Sequence, residues 1–264
     1  MANTLLSVRD LAVCFGDPRL APRTVEGVDF DIEAGQTLAL VGESGSGKTL
    51  TGKALMGLLP RTAQVVAGRA DYDDGRRQAD LLGVSHRRLR QLRGMAISMI
   101  FQEPMSSLSP LHRVGRQVEE VLRTHHGGTA SERRRRVLET FEEVGFPDPD
   151  RAWTAYPFEL SGGLRQRAVI AMAMVGDPRL VIADEPTTAL DVTTQAGVLQ
   201  LLRRLQREHG LGVILITHDL GVVANVADAA VVLSRGRVVE SGRVQDVLGR
   251  AGHAYTRRLL AAAP

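Results

Sequence analysis

Thr37-Leu38-Ala39-Leu40-Val41-Gly42-Glu43-Ser44-Gly45-Ser46-Gly47-Lys48-Thr49 is the stretch on which the reading of this chain turns. A short, mostly apolar strand, Thr37 to Val41, runs straight into a glycine-rich loop. Leu50, Ala54, Leu55 and Leu58 then recur at helical spacing until Pro60 ends the run. Strand, glycine loop and helix in that order make a phosphate-binding unit, because the glycines let backbone N–H groups curl around an anion. Gly42, Glu43, Ser44, Gly45, Ser46, Gly47, Lys48 and Thr49 are therefore the candidate nucleotide-binding set. Lys48 is placed to neutralise the outer phosphates and the Thr49 hydroxyl to hold Mg²⁺, while the helix turns its positive end to the same charge. The loop says "nucleotide" without saying which machine.

Composition singles out the same lysine. Of the 33 basic residues, only Lys48 and Lys53 are lysine and the rest are arginine. A flexible ammonium fits beside a phosphate inside a tight loop where a planar guanidinium is too bulky. The net charge of +3 comes from basic residues interleaved with acids along the chain. The densest run, Arg133 to Arg136, is flanked by Glu132 and Glu139 and reads as a solvated helix face, so no nucleic acid is expected.

Hydrophobic residues at 44% and charged ones at 24% suit a globular chain of 264 residues with a real core, built from aliphatics because aromatics are only 4%. Cys14 is the only cysteine, which excludes a disulfide framework or cysteine-based metal cluster within this chain and fits a reducing cytosol. The longest apolar runs, such as Val213 to Ile216, are strand-sized and too short to span a bilayer. Met1 to Arg9 shows no basic region followed by an apolar stretch, so no secretory signal is expected.

Upstream of the loop, Val28, Phe30 and Ile32 alternate with Asp29 and Asp31, the period of a strand with one wet face. Downstream, Ala67 to Asp80 reads as an edge hairpin and Ala96 to Phe101 as a buried strand. Helical, charged patterns follow near Gly115 to His125 and Ser131 to Val144, then a helix from Gly162 to Val175. Strand Leu180 to Ala183, helix Thr193 to His209, strand Gly212 to Thr217 and a closing hairpin from Ala230 to Glu240 complete the pattern. Such alternation predicts a mostly parallel sheet covered by helices. The expectation is a single domain over 1–264, with a core of 1–101 and 176–264 and a helical subdomain, 102–175, inserted into it.

Two further strings carry chemistry. Leu180-Val181-Ile182-Ala183-Asp184-Glu185 delivers adjacent carboxylates to a strand end, where α/β sheets place ligands. Asp184 suits Mg²⁺ and Glu185 suits activation of an attacking water. Leu160-Ser161-Gly162-Gly163-Leu164-Arg165-Gln166-Arg167 reads locally as a helix start capped by Ser161.

Taken whole, that last string resembles the signature sequence of the ATP-binding cassette family, and it falls between glycine loop and acidic strand as it does there. Gln102 after Phe101 resembles the family's Q-loop, Ala189-Leu190-Asp191 its D-loop, and His218 its switch histidine. Phe15, which alone would read as core, sits where the family has a ring that stacks on adenine. The resemblance covers essentially the whole chain. It implies a P-loop NTPase cassette of α/β class with a mostly parallel core sheet, an N-terminal antiparallel β subdomain and an inserted helical subdomain. It implies ATP as substrate, Mg²⁺ held by Thr49, Gln102 and Asp184, and hydrolysis through Glu185, His218, Gln102 and Lys48. Ser161, Gly162, Gly163 and Gln166 would act on ATP bound to a partner cassette, beside the D-loop Asp191.

Phe101-Gln102-Glu103-Pro104-Met105-Ser106-Ser107-Leu108-Ser109-Pro110 looks like the Q-loop region of dipeptide, oligopeptide and nickel importer ATPases. So does His253-Ala254-Tyr255-Thr256-Arg257-Arg258-Leu259-Leu260, where the family usually has proline in place of Ala254. Peptide members often continue into a cysteine-bearing tail, whereas this sequence ends at Pro264; peptide or nickel stays open. The resemblance further implies a second ATPase subunit, as a heterodimer, two transmembrane permease subunits and, indirectly, an extracytoplasmic substrate-binding protein. The place it implies is the cytoplasmic face of a bacterial inner membrane. Two other readings stand beside it. A cassette ATPase acting on DNA or ribosomes would need long coiled coils or a second cassette, and a P-loop small-molecule kinase leaves Leu160 to Arg167 unexplained.

Overall fold

The computed structural model describes residues 4–102, 107–125, 127–188 and 190–262. The chain forms two compact units, one of residues 1–90 with 206–264 and the other of residues 91–205. The helical stretch expected at 102–175 lies inside the second, which also holds two strands.

In the first unit, β1 (Thr4–Phe15), β2 (Arg23–Glu33), β4 (Ala63–Asp73) and β5 (Gln78–Asp80) form an antiparallel sheet in the order β2-β1-β4-β5. β2 shows the period that its sequence announces: Val28, Phe30 and Ile32 are buried while Asp29 and Asp31 alternate with them on the other face. The parallel strands β3 (Thr37–Val41) and β8 (Gly212–Thr217) are buried at every residue. That is why they read as near-continuous apolar runs rather than as alternation. β3 pairs in parallel with β8 on one side and with β9 (Ala229–Ser234) on the other, and β10 (Arg237–Arg243) closes antiparallel against β9. The helix α1 (Lys48–Leu55) leaves the end of β3 through the glycine loop.

The helix α2 (His86–Leu92) precedes β6 (Ile97–Ile100), which in the second unit pairs in parallel with β7 (Leu180–Asp184). Around this pair stand α3 (Val114–His125), α4 (Ala130–Glu143), α5 (Pro149–Thr154) and α6 (Gly162–Met174), followed by α7 (Val192–His209). Thr129 and Glu132 cap α4 reciprocally, and Asp148 caps α5 with Pro149 at its first position. α3 comes close to Trp153 at Gly115, where a Cβ would lie 2.6 Å from the indole.

The arginine run is less of a solvated face than its composition suggests. Arg133 is largely covered and donates to the buried Glu119 at 3.1 Å, which also accepts from Arg116 at 2.8 Å; Arg136 donates to Val175 O. Arg134 and Arg135 do face solvent, with Asp150 and Glu139 beside them. A charge run cannot show that an acid fourteen positions earlier will draw one member inward.

The chain ends with α8 (Leu220–Val226), α9 (Val244–Gly249) and α10 (Ala254–Ala262), which pack with β3 and β9 around Val41, Val223, Val232 and Val247. No helix among the described residues is long and apolar enough to cross a membrane.

Candidate functional site

The glycine loop of the first unit is wound around its lysine. Lys48 is 5% exposed, and its Nζ donates to Gly42 O at 2.7 Å, to Glu43 O at 2.9 Å and to the buried Ser46 Oγ at 3.5 Å. Gly42 (φ 152°) and Gly47 (φ 104°) take backbone angles that side chains rarely adopt. A Cβ at Gly42 would overlap the Leu233 carbonyl oxygen and lie 2.7 Å from Ser46 Oγ. Glu43, Ser44 and Gly45 are exposed, and a Cβ at Gly45 would meet nothing within 4 Å. α1 starts after Gly47, which has no side chain to cap it, and its N-terminal end faces the loop. Thr49 follows, half-buried. Phe15 is 38% exposed at the end of β1, a ring with a free face rather than a core residue. His218, just past β8, is exposed.

In the second unit, β7 brings Asp184 to its end at 3% exposure. Glu185 comes next, and its φ of +47° puts a glutamate in the left-handed region, where a non-glycine residue is uncommon and where functional sites concentrate strain. Its carboxylate is aimed from two sides: Oε2 accepts from Gln102 Nε2 at 3.1 Å and from Thr188 Oγ1 at 2.9 Å. Gln102 and Glu185, 83 positions apart, are thus brought together. Thr188 was missing from the sequence reading. Its signal was weak, a threonine three residues past the glutamate inside a turn that Thr188 N closes on Glu185 O.

The same unit presents Ser161 and Gly162 exposed at the start of α6, where Ser161 Oγ accepts from Leu164 N at 3.3 Å. Gln166 behaves differently. It is 1% exposed, and neither atom of its amide has a hydrogen-bond partner. The helical period carries it away from the face that shows Ser161. Asp191 caps α7, with Oδ1 accepting from Thr194 N at 3.0 Å and Oδ2 from Thr194 Oγ1 at 2.7 Å. The Thr194 hydroxyl first, and then its N–H, hold the Asp191 carboxyl below the usual carboxylate range. Of the predicted strings, Glu103, Pro104, Met105 and Ser106 beside Gln102, and Ala189 in the D-loop, lie outside the described residues.

These residues fit a nucleotide and a hard cation. The loop offers an exposed rim, open at Gly45, over a buried ammonium, and a triphosphate needs both. Taken unit by unit, Thr49 in the first and Asp184 and the Gln102 amide in the second each carry oxygen of the kind that Mg²⁺ takes.

Comparisons with known proteins agree with that chemistry. A model of the ABC transporter family matches residues 25–188. A peptidoglycan transport ATP-binding protein of Agrobacterium fabrum is 49% identical over 260 residues, 98% of this chain; the chain spans only 47% of that relative. A dipeptide transport ATP-binding protein of Haemophilus influenzae is 44% identical over 98% of this chain and 78% of its own length. An oligopeptide transport ATP-binding protein of Bacillus subtilis is 45% identical over 98% and 72%. Among solved structures, a dimeric ATP-binding cassette in a post-hydrolysis state, bound to ADP and Pi, superposes with a TM-score of 0.77. It is 27% identical over 90% of this chain and 98% of that one. A Clostridium perfringens cassette that is part of an ABC transporter complex gives 0.78 at 25% identity, covering 94% of this chain and 92% of its own.

Proposed function

The chain belongs to the ABC transporter family, and from that premise we propose that it binds and hydrolyses ATP to power import of peptides or a related small solute, nickel included. The observation that carries hydrolysis is Glu185: a glutamate held in the left-handed region just past a buried strand, its carboxylate aimed by Gln102 and Thr188.

In this reading the loop from Gly42 to Thr49 cradles the phosphates, Lys48 neutralises the outer ones, and Phe15 stacks on the adenine. Thr49, Asp184 and Gln102 would hold Mg²⁺, which when bound draws charge from the phosphate oxygens. Glu185 takes the proton from a water as its oxygen bonds to the γ-phosphorus and the bond to the β-γ bridging oxygen breaks. His218 steadies the γ-phosphate. Ser161, Gly162 and Gly163 act on ATP held by a second cassette, with Asp191 beside them. Gln166, buried within α6, does not share their face.

The relatives named for dipeptide and oligopeptide transport support peptides as the cargo. A second ATPase subunit completes the pair, as a heterodimer, and two permease subunits supply the path across the membrane. An extracytoplasmic binding protein delivers the solute, and the chain sits peripherally on the cytoplasmic face of the inner membrane.

Glu185→Gln tests the reading. ATP turnover by the assembled transporter should fall by about 10²–10⁴-fold, the range a lost general base produces, while ATP binding persists. Unchanged turnover would remove Glu185 from its role.

A further inference from the structure

The peptide unit that joins Gly42 to Glu43 is held at both of its poles. Its carbonyl, Gly42 O, accepts from Lys48 Nζ at 2.7 Å. Its N–H, on Glu43, donates to the Tyr255 hydroxyl at 3.0 Å, across 212 positions of sequence. A trans peptide is planar, with its C=O and N–H pointing in opposite directions. Fixing both ends therefore fixes the rotation of the whole plane. Rotation would be easiest here, because Gly42 has no side chain to resist it.

The tyrosine is itself pinned. Its ring is 6% exposed and packs in one cluster with Val41, Val232, Val244 and Val247. Its own N–H donates to His253 Nδ1 at 3.1 Å, which caps the start of α10. The turn before that cap is closed from two directions. Glu240 accepts from Gly252 N at 2.7 Å and from His253 N at 3.2 Å, and Arg257 donates to Gly252 O at 2.6 Å and Ala251 O at 3.1 Å. The phenol thus arrives at the nucleotide loop on a rigid mount. A buried tyrosine always needs some partner for its hydroxyl. This one has the peptide whose opposite pole holds the lysine.

We propose that Tyr255 is a positioning residue of the nucleotide loop, whose phenol blocks rotation of the Gly42–Glu43 peptide and so sets the Lys48 ammonium before ATP arrives. This rests on the reading of Gly42 to Thr49 as the nucleotide loop. If the peptide turned over, an N–H would face the ammonium in place of a carbonyl, and Lys48 would lose its 2.7 Å partner.

The test is Tyr255→Phe, which keeps the ring and removes only the acceptor. Two quantities are measured on the full chain: hydrogen exchange at the Glu43 amide without nucleotide, and equilibrium affinity for MgATP. Exchange at Glu43 should quicken by about tenfold and ATP affinity fall by about fivefold, the effect of one ordinary hydrogen bond, with thermal stability nearly unchanged. A merely structural tyrosine would lower the melting temperature and leave ATP affinity alone, and that result overturns the proposal. So does a variant with wild-type exchange at Glu43. A wild-type chain that bound no ATP would sink the reading of the loop, while exchange at Glu43 would still decide the clamp. Should Tyr255→Phe fold poorly, Glu240→Gln loosens the mount and leaves the phenol in place. It should shift both quantities in the same direction by about twofold; no shift overturns the proposal equally.

Discussion

The starts of α1 and α6 both carry glycines, and they are built in opposite ways. α1 begins after Gly47, a residue with no side chain to cap it, at a lysine that is 5% exposed. α6 begins after Ser161, whose own hydroxyl accepts from Leu164 N, and its glycines lie on the surface or near it. The glycines also differ. Gly42 is where it is because a Cβ would strike the Leu233 carbonyl, whereas a Cβ at Gly162 would meet only Leu190 Cδ2 at 3.9 Å. The first loop is wound tightly around its lysine. The second is a self-capped edge, stable by itself and open to something outside. In the proposed function the first loop would hold this chain's own nucleotide and the second would face a partner's.

The largest effect should come from testing the glycines against each other. Gly42→Ala forces a Cβ into the Leu233 carbonyl oxygen at a φ that alanine avoids. It should abolish ATP binding and lower the melting temperature by about 5–10 °C, as expected for overpacking in a backbone-tight position. Gly162→Ala should cost almost nothing in stability, since its φ is ordinary and its surroundings open. Equal melting temperatures for the two variants would break the contrast.

Ser161 gives a smaller and sharper result. Losing an N-cap hydroxyl costs about 1 kcal/mol when alanine replaces it and only a few tenths when glycine does. Ser161→Ala should therefore melt about 2–4 °C lower than the wild type, and Ser161→Gly close to it. If the hydroxyl also meets ATP on a second cassette, turnover by the paired transporter should fall alike in both variants. Turnover that instead tracked stability would reduce Ser161 to a cap.

What the sequence made visible, and what it hid, follows the same division. β3, β7 and β8 are buried at every residue, so their apolar runs declare them. The glycine loop and the acidic strand end were legible because local spacing alone fixes their chemistry. Helices α5, α8 and α9, of six or seven residues, carry no period long enough to read, and tertiary packing decides them. Contacts between distant residues were hidden for the same reason: Arg133 with Glu119, and Tyr255 with Glu43, join positions that no local pattern links. Gln166 looked like part of the signature face until the helix turned it inward.

The smallest expected effect concerns another capped start, at α7. Asp191 there plays the part of Ser161 with a charge, and Thr194 holds its carboxyl below the ordinary 3.8. A carboxyl whose folded pKa is depressed contributes stability that is present above the unfolded value. That stability is lost as pH falls through the lower folded value. Asp191→Asn keeps an acceptor for the Thr194 N–H and removes the charge. At pH 7 the variant should melt slightly below the wild type, because a negative charge at a helix start is favoured there. The gap should close only as pH falls below 3.8, where the wild-type carboxylate protonates too. The residue is exposed, so raising salt should shrink the gap as well. A gap that persisted undiminished in acid would mean that Asp191 acts through shape rather than charge. α7 would then start as α6 does, on a neutral hydrogen bond, and the glycine start of α1 would differ from both.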